Sequence, residues 1–185
     1  MSEPSSLVMR VHVSQAQWAA FLKSEIQPVR QFTDWSALGP AFDPAWLDKV
    51  DYGSLRTVED WFAKYLGLSW PGAPPLYEVD WSRNLVTCVV LEFGENFIEY
   101  VHGLNVLRRI TQHKTSSDQD FIVIYPYFWD PHHVVAAMAL NAGKSRFLLD
   151  KKSDNALRRN FVTRADELID MRATPFREFA AQEEL

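Results

Sequence analysis

The 185 residues suffice for one domain with its own core, and 47% hydrophobic with 23% charged residues is typical of a soluble globular protein. The sequence contains no run of the roughly 20 apolar residues that a membrane-spanning helix needs, and its first residues lack a signal-peptide pattern. Cys88 is the only cysteine, which excludes an intrachain disulfide. We therefore expect a cytoplasmic protein without a membrane partner.

The formal net charge of −5 is unevenly distributed along the chain. Residues 34–60 carry six acidic and two basic side chains, whereas residues 144–164 carry seven basic and two acidic ones. Such segments are ordinarily solvated surface, but either one could meet a partner of opposite charge. The overall acidity, and the scarcity of aromatic residues in the basic segment, argue against nucleic-acid binding.

The first third of the chain is expected to be mostly helical after a short strand at 7–13. Ser14 and Gln17 have the spacing of a capping box, which predicts a helix over 15–26 that ends before Pro28.

Three later signals complete this segment. The Asp–Pro pair at 43–44 predicts a short helix over 44–50, because aspartate caps a helix and proline suits its first turn. Thr57 is expected to cap another helix. The proline-rich residues 70–75 can form neither a helix nor a central strand, so we interpret them as a loop.

From residue 84 onward, apolar strand patterns alternate with helical patterns. Strands are expected at 84–93, 120–128 and 145–149, and helices at 97–107, at 131–141 and from 154 onward. Residues 97–102 are also compatible with a strand paired back across the preceding turn. We favour the helix there, because apolar residues recur with the helical period for three turns.

This alternation predicts an α/β fold with a small sheet of about four strands, at least partly parallel, with covering helices and a helical N-terminal segment. A mixed α+β fold is the alternative. We expect a single domain over 1–185, in which 1–70 is mostly helical after the short strand and 76–185 forms the core of alternating strands and helices.

The stretch FIVIYPYFWDPHHVV at 121–135 is the main candidate for a catalytic site. Ligands of open α/β sheets collect where strands end, and Asp130, Pro131, His132 and His133 would form a strand-to-helix turn there. A histidine at a helix N-terminus tends to stay neutral, which suits acid–base catalysis. An ordinary helix start explains the same letters, and adjacent histidines on a helix diverge by about 100°, too far to share a metal ion. We predict no metal site and no cofactor.

Other motifs argue against common enzyme classes. The stretch NAGKS at 141–145 ends like a phosphate-binding loop, but it lacks the first glycine of that loop and follows a predicted helix. The chain contains neither GxGxxG nor GxSxG. Cys88 lies in an apolar strand, where burial makes a thiol unreactive.

Residues 34–70 combine six acidic residues with eight large aromatic side chains. A small helical segment is expected to leave some of these rings exposed, where carboxylates steer a basic partner and aromatic rings supply buried contacts. The competing interpretation places the rings in the core and the acids on the outer faces of helices. The predicted contact residues are Trp35, Asp43, Trp46, Asp48, Asp51, Glu59 and Asp60.

The sequence thus favours a non-enzymatic protein-binding module, such as an inhibitor or immunity-type protein that neutralises a basic protein. The alternative is a small enzyme with Asp130, His132 and His133 as acid–base groups and Arg108 or Arg109 binding an anionic substrate. Neither the identity of the partner or substrate nor the oligomeric state follows from the sequence.

Overall fold

The structure, a computed structural model, describes residues 4–66, 77–115, 119–126 and 133–183. Within them, six strands form one sheet in the order β2-β3-β1-β4-β5-β6, and each neighbouring pair is antiparallel. The strands are β1 (Ser5–His12), β2 (Tyr77–Asp80), β3 (Leu85–Gly94), β4 (Phe121–Tyr125), β5 (Ala136–Asn141) and β6 (Lys144–Phe147).

Helices flank this sheet on both faces. The α-helices are α1 (Gln15–Leu22), α2 (Val58–Leu66), α3 (Phe97–Leu107) and α4 (Asn155–Glu183). Short 3-10 helices occur at Val29–Gln31, Trp35–Leu38, Pro44–Lys49 and Arg108–Gln112. In the part of the chain that the structure describes, every helix is too short or too polar to cross a bilayer.

The helix starts confirm the local sequence signals. Ser14 and Gln17 form the predicted capping box, in which each side chain accepts a hydrogen bond from the backbone N–H of the other residue. The side chain of Asn96 accepts hydrogen bonds from the N–H groups of Ile98 and Glu99, which starts α3 and confirms the helical interpretation of 97–102.

The prediction of a small sheet of about four partly parallel strands is wrong. Residues 136–141, expected within a helix, form β5, which pairs with both β4 and β6. β5 is buried on both faces except at its last residue, so its sequence lacks the apolar–polar alternation that marks a half-exposed strand. A continuous apolar run of this kind is also compatible with a buried helix.

The strand–helix–strand unit β3-α3-β4 explains why parallel pairing was expected. β3 and β4 are both antiparallel to β1, so they run in the same direction. β1, from the start of the chain, lies between them and separates them. The local pattern indicates the helical crossover, but it contains no information about a strand inserted from elsewhere.

The core has two apolar layers, one on each face of the sheet. On one face, residues such as Val8, Phe121 and Val123 pack against Phe161 and Ile169 of α4. The other face forms a larger cluster beneath α1, α2 and α3, to which β1 contributes Leu7, Met9 and Val11, and Val13 follows directly after the strand. Because helices cover both faces of the sheet, the end of β1 and the start of β4 are held in place. A polar cluster lies at this point.

Candidate functional site

The structure removes Trp35 from the predicted contact surface. Its side chain is only 2% exposed, and its indole N–H donates a hydrogen bond to the carbonyl of Val29. The rings of Phe32 and Phe147 lie edge-on to it. Four of the eight aromatic residues in 34–70 are buried in this way, and Trp70 lies outside the described residues. The buried rings are those of Trp35, Phe42, Trp61 and Phe62.

Asp60 serves the start of α2. Its carboxylate accepts hydrogen bonds from the backbone N–H groups of Thr57 at 2.8 Å and Arg56 at 2.9 Å. These donors hold the pKa of Asp60 below its usual range. The hydroxyl oxygen of Thr57 in turn accepts a hydrogen bond from the backbone N–H of Asp60. A carboxylate engaged in this way is a helix cap rather than a contact for a partner.

The other four predicted carboxylates are exposed, on Asp43, Asp48, Asp51 and Glu59. Asp43 and Asp51 each accept one hydrogen bond from a backbone N–H two residues later, which leaves acceptor capacity facing solvent. Asp48 pairs with Arg30 at 2.6 Å, and both side chains are mostly exposed. Because exposed ion pairs contribute little stability, this one can exchange for contacts with a cationic partner.

Trp46 stacks on Phe97, with ring centroids 5.3 Å apart and planes inclined by 23°. Both side chains are half-buried, and Phe42 contacts both rings edge-on from below, at 6.0 and 6.1 Å. Exposed carboxylates lie within two or three residues of each ring along the chain. We call this region, together with the exposed Asp51, the acidic–aromatic surface; it comprises Asp43, Trp46, Asp48, Asp51, Glu95 and Phe97. Glu99 is not included, because its carboxylate accepts a hydrogen bond from the backbone N–H of Glu95 at 2.6 Å.

The predicted Asp–Pro–His–His turn is only partly described. Asp130, Pro131 and His132 lie outside the described residues, whereas His133 is exposed. The residues from 133 to 135 are not helical, and the next element is β5. The prediction that a helix begins here is therefore wrong. The helix dipole that was expected to act on His133 is also not found there.

A polar cluster that the sequence analysis did not predict lies at the end of β1 and just before the start of β4. The Nδ1 atom of His12 lies 2.6 Å from Oδ1 of Asp120, and the backbone N–H of His12 donates to Oδ2 at 3.0 Å. The ammonium of Lys114 contacts the same Oδ2 at 2.7 Å and the carbonyl of Leu140 at 2.9 Å. The side chains of Asp120 and Lys114 are fully buried, whereas that of His12 is 34% exposed.

His12 also lines a pocket of about 550 Å³. The pocket lies between the end of β1, the start of α1 and the turn before β3; its other lining residues are Val13, Ser14, Gln17, Arg83, Asn84 and Thr115. Asp120 fixes the orientation of the imidazole, in the way that buried carboxylates orient functional histidines. The only sequence signal for this site is an aspartate directly before an apolar strand.

Within the described residues, no three histidine, cysteine or carboxylate side chains converge in a way that could hold a metal ion. Comparisons with protein-family models, with curated proteins and with solved structures found no match. The functional interpretation therefore depends on the geometry of this chain.

Proposed function

We propose that the protein is a non-enzymatic binding module that docks a basic protein through the acidic–aromatic surface. The observation that supports this most directly is the half-exposed stack of Trp46 on Phe97, bordered along the chain by Asp43 and Asp48. Aromatic residues supply much of the binding energy of protein interfaces, and carboxylates around them favour a cationic partner.

The stack is suited to binding because it is already ordered. Contacts with Phe42 and Phe97 restrain the Trp46 ring, so docking a partner there costs little additional side-chain entropy. The exposed carboxylates of Asp48 and Asp51 increase the rate of encounter with a basic protein through long-range attraction. The surface thus combines rapid association with a preformed contact.

A neutralising role is the more specific form of this proposal. An acidic protein that covers the basic surface of an enzyme blocks access to its substrate, as an inhibitor or immunity-type protein does. A cytoplasmic location is part of the same proposal, because the single cysteine, Cys88, is a buried thiol.

Affinity capture with matched tryptophan variants tests the aromatic contact. The purified native chain, Trp46→Ala and Trp81→Ala are each immobilised and exposed to extract from the native cell, and retained proteins are identified by mass spectrometry. Trp81 is a suitable control because it is also half-buried but lies in the turn between β2 and β3. We expect the native chain and Trp81→Ala to retain a stoichiometric basic protein that Trp46→Ala loses. Equal retention by all three would contradict the proposal.

Charge reversal tests the electrostatic part. With the captured partner, Asp48→Lys/Asp51→Lys should slow association by about tenfold or more at low ionic strength and weaken its dependence on salt. The matched control is Asp150→Lys/Glu167→Lys, which reverses two exposed charges elsewhere. An association rate that falls equally in both double variants would indicate an effect of net charge alone, and the assigned surface would be wrong.

A further inference from the structure

An arginine, Arg83, lines the His12 pocket in a protein whose net charge is negative. Arg10 precedes His12 by two residues, on the same face of β1. Burial lowers the pKa of Arg10, the charge of Arg164 lowers it further and Arg83 adds to this, whereas Asp120 opposes them. The positive charges of Arg164 and Arg83 therefore act on the pKa of Arg10 in the same direction as its burial.

Two carboxylates near the pocket, those of Asp120 and Asp80, already have cationic partners. Asp120 is already matched by Lys114 at 2.7 Å. Asp80 lies 3.5 Å from Arg83 in a pair that is largely exposed and therefore weak. The Nη1 atom of Arg10 is buried and has no hydrogen-bond partner among the described residues. A mostly exposed arginine such as Arg83, on the wall of a pocket, can donate charge-assisted hydrogen bonds to a phosphate or carboxylate group.

We propose that this pocket binds a small molecule through a phosphate or carboxylate group, which contacts Arg83 and the imidazole of His12. A protonated imidazole donates from both ring nitrogens, so it can bind Asp120 through Nδ1 and the anion through Nε2. The buried Asp120–Lys114 pair holds the ring in place before the ligand arrives. The volume of about 550 Å³ suits a small molecule rather than a folded partner.

The site is separate from the acidic–aromatic surface in both residues and charge. None of the residues that line the pocket belongs to that surface. A basic protein would be repelled by the arginines, and a small anion would be repelled by the exposed carboxylates of Asp43 and Asp48. A substitution that abolishes binding of the basic protein should therefore leave binding of the small anion unchanged, and the reverse should also hold.

An NMR titration of the full chain tests this inference. Inorganic phosphate and acetate are added in separate experiments at constant pH and ionic strength, and the carbon-bound imidazole protons of His12 are followed. The resonances are assigned from their loss in His12→Asn. We expect a saturable shift. Tighter binding of phosphate would indicate a phosphorylated ligand, and tighter binding of acetate a carboxylic acid.

Two arginine variants decide whether the binding is specific. Arg83→Gln should weaken the binding of whichever anion binds more tightly by about tenfold, which corresponds to the loss of one charge-assisted hydrogen bond. Its side chain is 77% exposed, so the substitution leaves the fold intact. Arg30→Gln, at another exposed arginine paired with one aspartate, should leave the affinity unchanged. Shifts that do not saturate with either probe, or equal weakening in both variants, would overturn the proposal.

Discussion

The guanidinium of Arg108 and the carboxylate of Asp34 form two hydrogen bonds of 2.8 Å each, although the Arg108 side chain is only 2% exposed. The Nε–H of Arg108 donates to the hydroxyl of Ser145 in β6, and the guanidinium lies 3.9 Å from the centre of the Phe32 ring. The contact joins the end of α3 to the irregular segment that carries Trp35. This explains why that indole lies in the core rather than on the surface.

Asp34→Asn should destabilise the protein by about 2 kcal/mol, because a buried guanidinium loses its carboxylate while Asp34 itself is partly exposed. Asp48→Asn, which breaks the exposed pair with Arg30, should cost less than about 1 kcal/mol. Urea denaturation of the three proteins measures both values. Equal losses in the two variants would mean that burial of Arg108 does not strengthen its ion pair.

The buried contact between Lys114 and Asp120 should show strong coupling. Lys114→Met and Asp120→Leu each leave one charge inside the protein without its main partner, and each should cost about 3 kcal/mol or more. The double variant removes both charges and should cost clearly less than the sum of the two. Thermal or urea unfolding of the four proteins completes the cycle; additive losses would show that the two side chains do not interact.

His102 should make stability dependent on pH. It accepts a hydrogen bond at Nδ1 from the indole N–H of Trp61 and stacks against Tyr52 at 4.3 Å. Burial is the main reason why the pKa of His102 is lowered to about 4. The positive charge of Lys64 also lowers this pKa, and the negative charge of Asp51 has a smaller, opposite effect. Protonation near pH 6.5 is therefore available to the unfolded chain but not to the folded one. Stability from this group is complete above pH 6.5 and is lost as the pH falls.

By pH 4 the loss attributable to His102 should reach about 3 kcal/mol. His102→Asn preserves an acceptor for Trp61 but cannot be protonated, so its free energy of unfolding should decrease less between pH 6.5 and 4. The exposed His133 provides the control, since His133→Asn should leave the native pH dependence unchanged. Urea denaturation at several pH values measures these slopes. Identical slopes for all three proteins would contradict the assignment.

Gly103 marks a close approach of α3 to β3. A Cβ atom at this position would overlap the buried ring of Phe93. Gly103→Ala should therefore destabilise the protein by about 1–3 kcal/mol, although alanine normally stabilises a helix relative to glycine. Phe93→Leu should cost less in the Gly103→Ala background than in the native one, because it relieves the overlap. A stabilising Gly103→Ala, measured by thermal unfolding, would show that the helix does not pack so closely.

The parts of the fold that were predicted correctly depend on residues close together in the chain. Ser14 with Gln17, and Asn96 at the start of α3, are capping signals that act over two or three residues. The short helix after Asp43–Pro44 is a 3-10 helix at Pro44–Lys49, again set by its own first turn. Such signals are complete within a few residues, so the sequence indicates them without reference to the rest of the molecule.

The candidate sites were less predictable, because they depend on contacts between distant residues. Of the predicted contact residues, Trp35 is buried and Asp60 caps a helix, and neither fact follows from composition. Phe97, which completes the stack with Trp46, lies outside the acidic segment considered from sequence. Aromatic content indicates how much ring surface the chain carries, but only packing decides which rings stay outside.

The sequence by itself determined the starts of α1 and α3, the apolar strands β3 and β4, and the excess of acidic residues in the first third. Tertiary structure alone decided that β1 separates β3 from β4, and that His12 meets Asp120 across 108 positions of the chain. The physical reason is that strand pairing and buried ion pairs gain their energy from groups far apart in sequence. A local pattern specifies that a strand or a charge needs a partner, and the folded chain selects which one.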